Sequence, residues 1–418
     1  MSAGTRAAIV AIGSEMLGPL RRDTNSSWLT ERLEEVGIAV VRKSVVGDEP
    51  EEIARELSCS AATAGWIFTT GGLGPTADDM TVAAIARWMG VPVHRDERFI
   101  AAMRERWEGR RGLRMPSVNE KQADFPEGAR VLENARGTAP GLWLERKGVQ
   151  IVVLPGVPSE MREIFEQKVL PELRRGGGTA VTKRRVLRIA GMGESRVEEL
   201  VAPLYAKWKD DPVTILASPG EVELHLCARG DPGAAEARVA EMEDDFRSVL
   251  GFRIHGTGGE ALAESLGRVL KEKGRTLSLA ESCTGGLVSS LLTDVPGSSA
   301  YFLGTVVPYA DRSKETLLGV QEETLKRHGA VSEETAREMA RGARERFGSD
   351  FAAAITGIAG PDGGTAEKPV GTVFFAVVDR EGREKASKRF FGGDRAMVRR
   401  TSAMFSLEMI RRFLIEAA

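Results

Sequence analysis

Cysteine is scarce in this 418-residue sequence: Cys59, Cys227 and Cys283 are the full complement. Three scattered thiols without CxxC spacing exclude a disulfide framework and a cysteine-based zinc site, and they fit a reducing cytoplasm. Histidine is almost as rare, with His94, His225, His255 and His328 in the whole chain. No eighteen-residue apolar run and no cleavable signal occurs, so neither secretion nor membrane attachment is expected. An excess of either charge is also missing. Lys plus Arg at 58 against Asp plus Glu at 60 leaves a net charge of -2, which gives no global field for gripping nucleic acid. The basic stretches Arg104 to Arg114 and Lys183 to Arg188 read, at that balance, as solvated faces. Low-complexity tracts and fixed-period repeats are absent.

What is present is ordinary globular material. Hydrophobic residues make up 42% and charged ones 28%, enough for real cores, and the length predicts two to four domains. Apolar runs at 7–12, 38–46, 66–70 and 149–154 alternate with stretches of helical period, such as Trp28, Leu29, Leu33 and Val36. Such alternation predicts a parallel sheet covered on both faces. Arg174 to Thr179 contains three consecutive glycines and reads as a linker. Residues 184–256 then give strand, helix, two strands, helix and strand, and β-α alternation resumes beyond Gly259. The expected fold class is α/β: two three-layer domains with mainly parallel sheets, 1–171 and 260–418, joined by a small α+β module at 179–256.

The glycines, 47 in all, cluster in a few loops that follow predicted strands. In the third domain the strand Thr276 to Ala280 runs into Glu281-Ser-Cys-Thr-Gly-Gly286 and then a helix. A strand end meeting a helix N-terminus offers free N-H donors, suited to a phosphate or a developing oxyanion. Ser282 and Thr284 equally suit helix caps. Cys283 rivals Ser282 as nucleophile, because a thiol there can have a lowered pKa; it also suits a small buried apolar position. Only His328 lies in this domain, so a serine there needs another base. Lys314, one β-α-β step on, could serve if burial lowers its pKa toward neutrality, and it could equally be a solvated lysine. A second glycine-rich loop, Thr356-Gly-Ile-Ala-Gly-Pro-Asp-Gly-Gly364, also follows a strand. The last helix opens with Asp394-Arg395 and carries Arg399; cations there oppose the helix dipole, so an anionic ligand or a capping Asp394 would compensate.

AESCTGG, the segment Val307 to Lys314, TGIAGPDGG, Pro369-Val-Gly-Thr372 and FGGDR together resemble the nicotinamide-nucleotide amidase domain of the CinA (competence/damage-inducible) family. The resemblance implies hydrolysis of nicotinamide mononucleotide to nicotinate mononucleotide and ammonia, without a cofactor. It makes Ser282 the nucleophile, Lys314 the base and Tyr309 an assisting hydroxyl. Thr284, Gly285, Gly286, Thr356, Gly357, Ile358, Ala359 and Gly360 would line the substrate, and Arg395 and Arg399 are candidates for its phosphate. Where the family usually has Thr or Ala, Ser and Asn around that tyrosine, this chain has Pro308, Ala310 and Asp311.

In the first domain, Gly71-Gly72-Leu-Gly74-Pro-Thr-Ala-Asp78-Asp79 follows a strand and precedes a helix. Glycine backbone can cradle a pyrophosphate, and paired carboxylates can hold a divalent ion bridging it. The two aspartates also suit a helix cap. The segment is neither a P-loop nor a GxGxxG. Asp23 and Asn25 add acceptors near the same sheet edge. GSEML, DTNSSWL, GDEP, GGLGPTADDMT, RGTAPG and LPGVPSEM resemble the family's molybdopterin-binding-like half. That implies metal-dependent cleavage of ADP-ribose, with Asp78 and Asp79 on the metal and Gly71, Gly72, Gly74, Asp23 and Asn25 around the ligand. Binding or adenylylation of a pterin is the alternative, and a non-enzymatic adaptor in DNA uptake or repair is a further one. The middle module is reminiscent of an RNA-binding KH unit, yet its GxxG, Gly230 to Gly233, contains Asp231, so nucleic-acid binding is not expected. A homodimer is expected, as in the family.

Overall fold

The computed structural model describes residues 5–19, 21–176 and 180–416. It forms two compact units: one holds the chain through Lys183 with Arg229–Glu236, the other Arg184–Ala228 with Ala237 onward. Among the described residues no helix is long and apolar enough to cross a membrane.

In the first unit six strands form a sheet in the order Ala39–Val46, Arg6–Ile12, Trp66–Thr70, Val149–Leu154, Gly141–Arg146, Arg130–Leu132. The first four are parallel and the last two antiparallel. Side chains alternate across the strands. Ile9, Phe68 and Val152 pack on one face with Leu29, Leu33 and Phe165, while Val10, Ile67 and Val153 pack on the other with Ile53, Leu57 and Ile85. The antiparallel hairpin turns through Lys147 and Gly148, both at positive φ, the tight-turn geometry that matches strand twist. The helix Leu170–Gly176 carries the chain past the expected boundary at Pro171 and through the start of the expected linker. The rest of that linker, 177–179, lies outside the described residues.

The second unit contains a four-stranded sheet, Val213–Ser218, Glu221–Gly230, Val181–Ala190 and Ile254–Thr257 in that order, and a five-stranded one. The latter runs Phe302–Val306, Leu277–Glu281, Phe351–Gly357, Thr372–Asp379, Glu384–Phe390, with three parallel strands followed by an antiparallel pair. Phe351, Ala353 and Ile355 face the helices Leu262–Glu272 and Arg395–Glu416, and Ala352 and Ala354 face Glu333–Phe347.

Arg395–Glu416 is buried on nearly every side. Its apolar residues Ala403, Leu407, Ile410 and Leu414 belong to the sheet's core. Gly220, from the hairpin of the smaller sheet, lies against Met404 and Thr401, and Arg411 donates to the Phe252 carbonyl at 2.5 Å. This explains the two apolar stripes of the sequence: a helix covered all round has no solvent stripe. It also makes the middle module and the third domain one packing unit.

Gly342 lets the helix Glu333–Phe347 approach Asp311–Leu318, the helix that carries Lys314. A Cβ at 342 would sit 1.9 Å from the Leu318 carbonyl oxygen. Gly342→Ala is expected to cost about 1–3 kcal/mol of stability, read as a lowered denaturation midpoint.

Candidate functional site

Three parallel strands of the second unit end side by side. Register pairs Ala280 with Val306 and Glu281 with Ile355, so the turn from Ser282, the segment after Val306 and the loop from Gly357 share one carboxyl edge. The chain leaves the central strand for one neighbour and then the other, which makes this edge a switch point of the kind where α/β sheets bind ligands.

Ser282 is buried, and its amide donates to the Ile355 carbonyl at 2.9 Å. Its hydroxyl has no hydrogen-bond partner among the described residues. The amides of Cys283, Thr284 and Gly286 likewise reach no carbonyl or carboxylate of the described chain. Gly285 and Gly286 stand at φ +60° and +90°, the left-handed backbone that lets the turn close without a Cβ clash. Thr284 is fully buried and its hydroxyl is unpartnered among the described residues.

Lys314 is 1% exposed, so it is not a solvated lysine. Its Nζ donates to the carbonyls of Pro308 (3.1 Å) and Tyr309 (3.3 Å), with Asp311 Oδ1 at 3.5 Å. Arg395 bridges two loops, donating from Nη1 to Gly360 O at 2.8 Å and from Nη2 to the Tyr309 hydroxyl at 3.0 Å. Arg399 donates to Thr284 O at 2.8 Å. Asp394 accepts from the Met397 amide and caps that helix. The last helix thus gathers Tyr309, Thr284 and Gly360, residues that the motifs placed on three separate loops.

One expectation needs correction here. The helix after Ser282 begins at Leu287, and its first free amides do not face a ligand: Val288 and Ser289 donate to the buried Glu281 carboxylate. Thr356 turns its hydroxyl to the Ala330 carbonyl at 2.7 Å, which holds the start of the second glycine loop. Gly357, Ile358 and Gly360 are packed into the same scaffold. Ile358 exchanges backbone hydrogen bonds with Gly371 and Thr372, and a Cβ on Gly357 or Gly360 would strike Val373 or Val370. Ala359 is buried.

Burial pushes the Cys283 thiol up to about 12; the Glu281 charge adds to this, while the amides of Cys283 and Thr284 and the Arg399 cation oppose it. Cys283 is therefore the small buried apolar residue, not a primed thiolate.

At the corresponding edge of the first unit, Gly71 and Gly72 have positive φ, and Gly71 donates to Leu154 O. Asn25 sends its Nδ2 to Thr70 Oγ1 (2.9 Å) and Gly156 O (2.8 Å), tying the first helix to two strand ends, and its Oδ1 is buried without a partner among the described residues. Asp23 accepts from the Ser26 amide at 2.8 Å. Asp79 accepts from the Gly74 amide at 2.7 Å and from the amide and hydroxyl of Thr76, so it clamps its own loop. It caps no helix, and its carboxylate is turned to three donors of its own loop. Asp78 is exposed, and among the described residues no group of three or more His, Cys, Asp or Glu side chains could hold a metal ion. The expected Asp78 and Asp79 metal site does not fit these residues. Lys121, Gln122 and Phe125, which carried no periodic signal, line a cleft of about 200 Å³ beside Gly72 and Gly74. Gln122 donates to Leu73 O at 3.1 Å and Lys121 to Thr76 O.

A family model described as the CinA C-terminal domain matches residues 259–414. Models described as a probable molybdopterin binding domain and a damage-inducible protein CinA KH domain match residues 8–175 and 184–256. A CinA-like protein of Solibacter usitatus is 41% identical over 407 residues, covering 97% of each chain. The chain belongs to the CinA family. A putative competence-damage inducible protein of Symbiobacterium thermophilum is 44% identical over 98% of this CinA-family chain and 99% of its own. Among solved structures, the competence/damage inducible protein CihA from Agrobacterium tumefaciens is 42% identical over 37% of this chain and 97% of its own, with a TM-score of 0.36.

Two measurements check the site of this CinA-family chain. Native alkylation at pH 8 is expected to modify the exposed Cys59 and spare Cys283, as read by peptide mass spectrometry. Asp79→Ala, which strands the Gly74 and Thr76 donors, is expected to cost about 1–3 kcal/mol in a denaturant melt, and Asp78→Ala about 0.5 kcal/mol or less.

Proposed function

We propose that the third domain hydrolyses the carboxamide of nicotinamide mononucleotide, giving nicotinate mononucleotide and ammonia, with Ser282 as nucleophile. The observation that carries this reading is the unengaged Ser282 hydroxyl in a buried turn, with a buried lysine on the helix that follows the neighbouring strand end. Two carbonyls accept from Lys314. In this reading Lys314 takes the serine proton as general base. Serine Oγ then bonds to the amide carbon, the C-N bond breaks as the lysine proton passes to the leaving amine, and water hydrolyses the ester. The turn amides of Cys283, Thr284 and Gly286 are the donors for the carbonyl oxygen as it gains charge. Tyr309, its oxygen accepting from Arg395, keeps its own O-H to donate to substrate. The N-H groups of Arg395 and Arg399 not spent on the loops suit the phosphate.

For the first domain we infer a nucleotide carrying a pyrophosphate, with ADP-ribose as the reading and a hydrolytic role. Its support is the glycine turn beside the cleft of Lys121 and Phe125. The match of residues 8–175 to a probable molybdopterin binding domain favours a pterin as the second reading. Pterin titration set against ADP-ribose turnover separates the two.

Ammonia release from nicotinamide mononucleotide is the test for the third domain. Wild type is expected to be active with chelator present, Ser282→Ala to lose on the order of 10³-fold or more, and Cys283→Ala to keep most of the rate. Loss confined to Cys283→Ala moves the nucleophile by one residue; an inactive wild type overturns the reading.

A further inference from the structure

Glu281, the residue before Ser282, is fully buried, and no cation pairs with it among the described residues. A buried carboxylate without a counter-ion is costly unless donors replace its water. Here three do: the Val288 amide at 3.1 Å, the Ser289 amide at 2.8 Å and the Ser289 hydroxyl at 2.5 Å. The helix Leu287–Thr293 starts behind Gly286, which has no side chain to cap it. Glu281 reaches across from the end of the strand and takes the second and third helical amides, the two a capping side chain would take. The chain between those contacts is the Ser282–Gly286 turn. One end is pinned to the sheet by Ser282 N to Ile355 O and the other to the Glu281 carboxylate, so the turn is closed like a buckle.

We propose that Glu281 is a positioning residue for the nucleophile: its carboxyl group, taking the Val288 and Ser289 donors, fastens the 282–286 turn and keeps the Ser282 hydroxyl and the turn amides in register with each other. This rests on the amidase reading for its substrate, but not for its geometry.

The test uses the full chain with Glu281→Gln and Ser289→Ala, and two readouts. These are ammonia release from nicotinamide mononucleotide, resolved into kcat and KM, and labelling of Ser282 by a small sulfonyl fluoride followed by peptide mass spectrometry. Glu281→Gln is expected to lower kcat by about 10²-fold with KM changed by no more than about threefold, and to slow Ser282 labelling in parallel. Ser289→Ala, which removes one donor and leaves both amide contacts, is expected to lower kcat and labelling by about five- to tenfold, less than Glu281→Gln. Should Glu281→Gln fail to fold, Ser289→Ala decides. Rates and labelling within about twofold of wild type in the folded variants overturn the proposal. A wild type whose Ser282 is labelled but which releases no ammonia removes the amidase reading and leaves the labelling comparison to judge Glu281.

Discussion

Two arginines on one helix turn hold the third-domain edge together. Arg395 spans Gly360 and Tyr309, and Arg399 holds Thr284. Each is a charged donor on a neutral oxygen, a contact worth roughly 1.5–3 kcal/mol. The loops they join have glycine-rich sequences that on their own would sample many conformations. Anchoring them to a single rigid helix converts three flexible connections into one surface, and it does so with groups that still have N-H donors to spare.

That helix can act as an anchor because it cannot shift. Its apolar side packs into the sheet's core, and its remaining side is covered by the middle module through Gly220 and the Arg411 contact to Phe252. Glu408 accepts from both Arg411 and Arg412 on the same helix, so even its charged positions are satisfied in place. Gly191 of the module also comes close to Glu408 and Arg412. The module is therefore part of the support for the third-domain edge as well as a connector.

Much of this was legible in the sequence, for physical reasons. Parallel strands ending in glycine turns announce themselves, because a β-branched or apolar run followed by Gly-Gly has few other uses, and Ser282 follows such a strand end. What escaped was long-range pairing of polar groups. Nothing local says that Glu281 turns inward to a helix 7 residues on, that Lys314 is buried, or that Asp79 closes its own loop instead of facing a metal. Each depends on which donors tertiary folding leaves unpaired. The antiparallel edges were missed because Lys147-Gly148 is an unremarkable dipeptide until its backbone is seen to turn. The unity of module and third domain was hidden in the second apolar stripe of the last helix, which reads as excess hydrophobicity until the module is seen to cover it.

The contact from Arg399 to Thr284 joins residues 115 positions apart. A ribosome makes the chain from the other direction, so the strand and turn bearing Ser282 leave the exit tunnel long before the helix that secures the neighbouring loops. During that interval the nascent polypeptide holds Ser282 without its surroundings, and a chain whose translation stops short of Arg395 carries the serine but not the edge that Arg395 and Arg399 hold together.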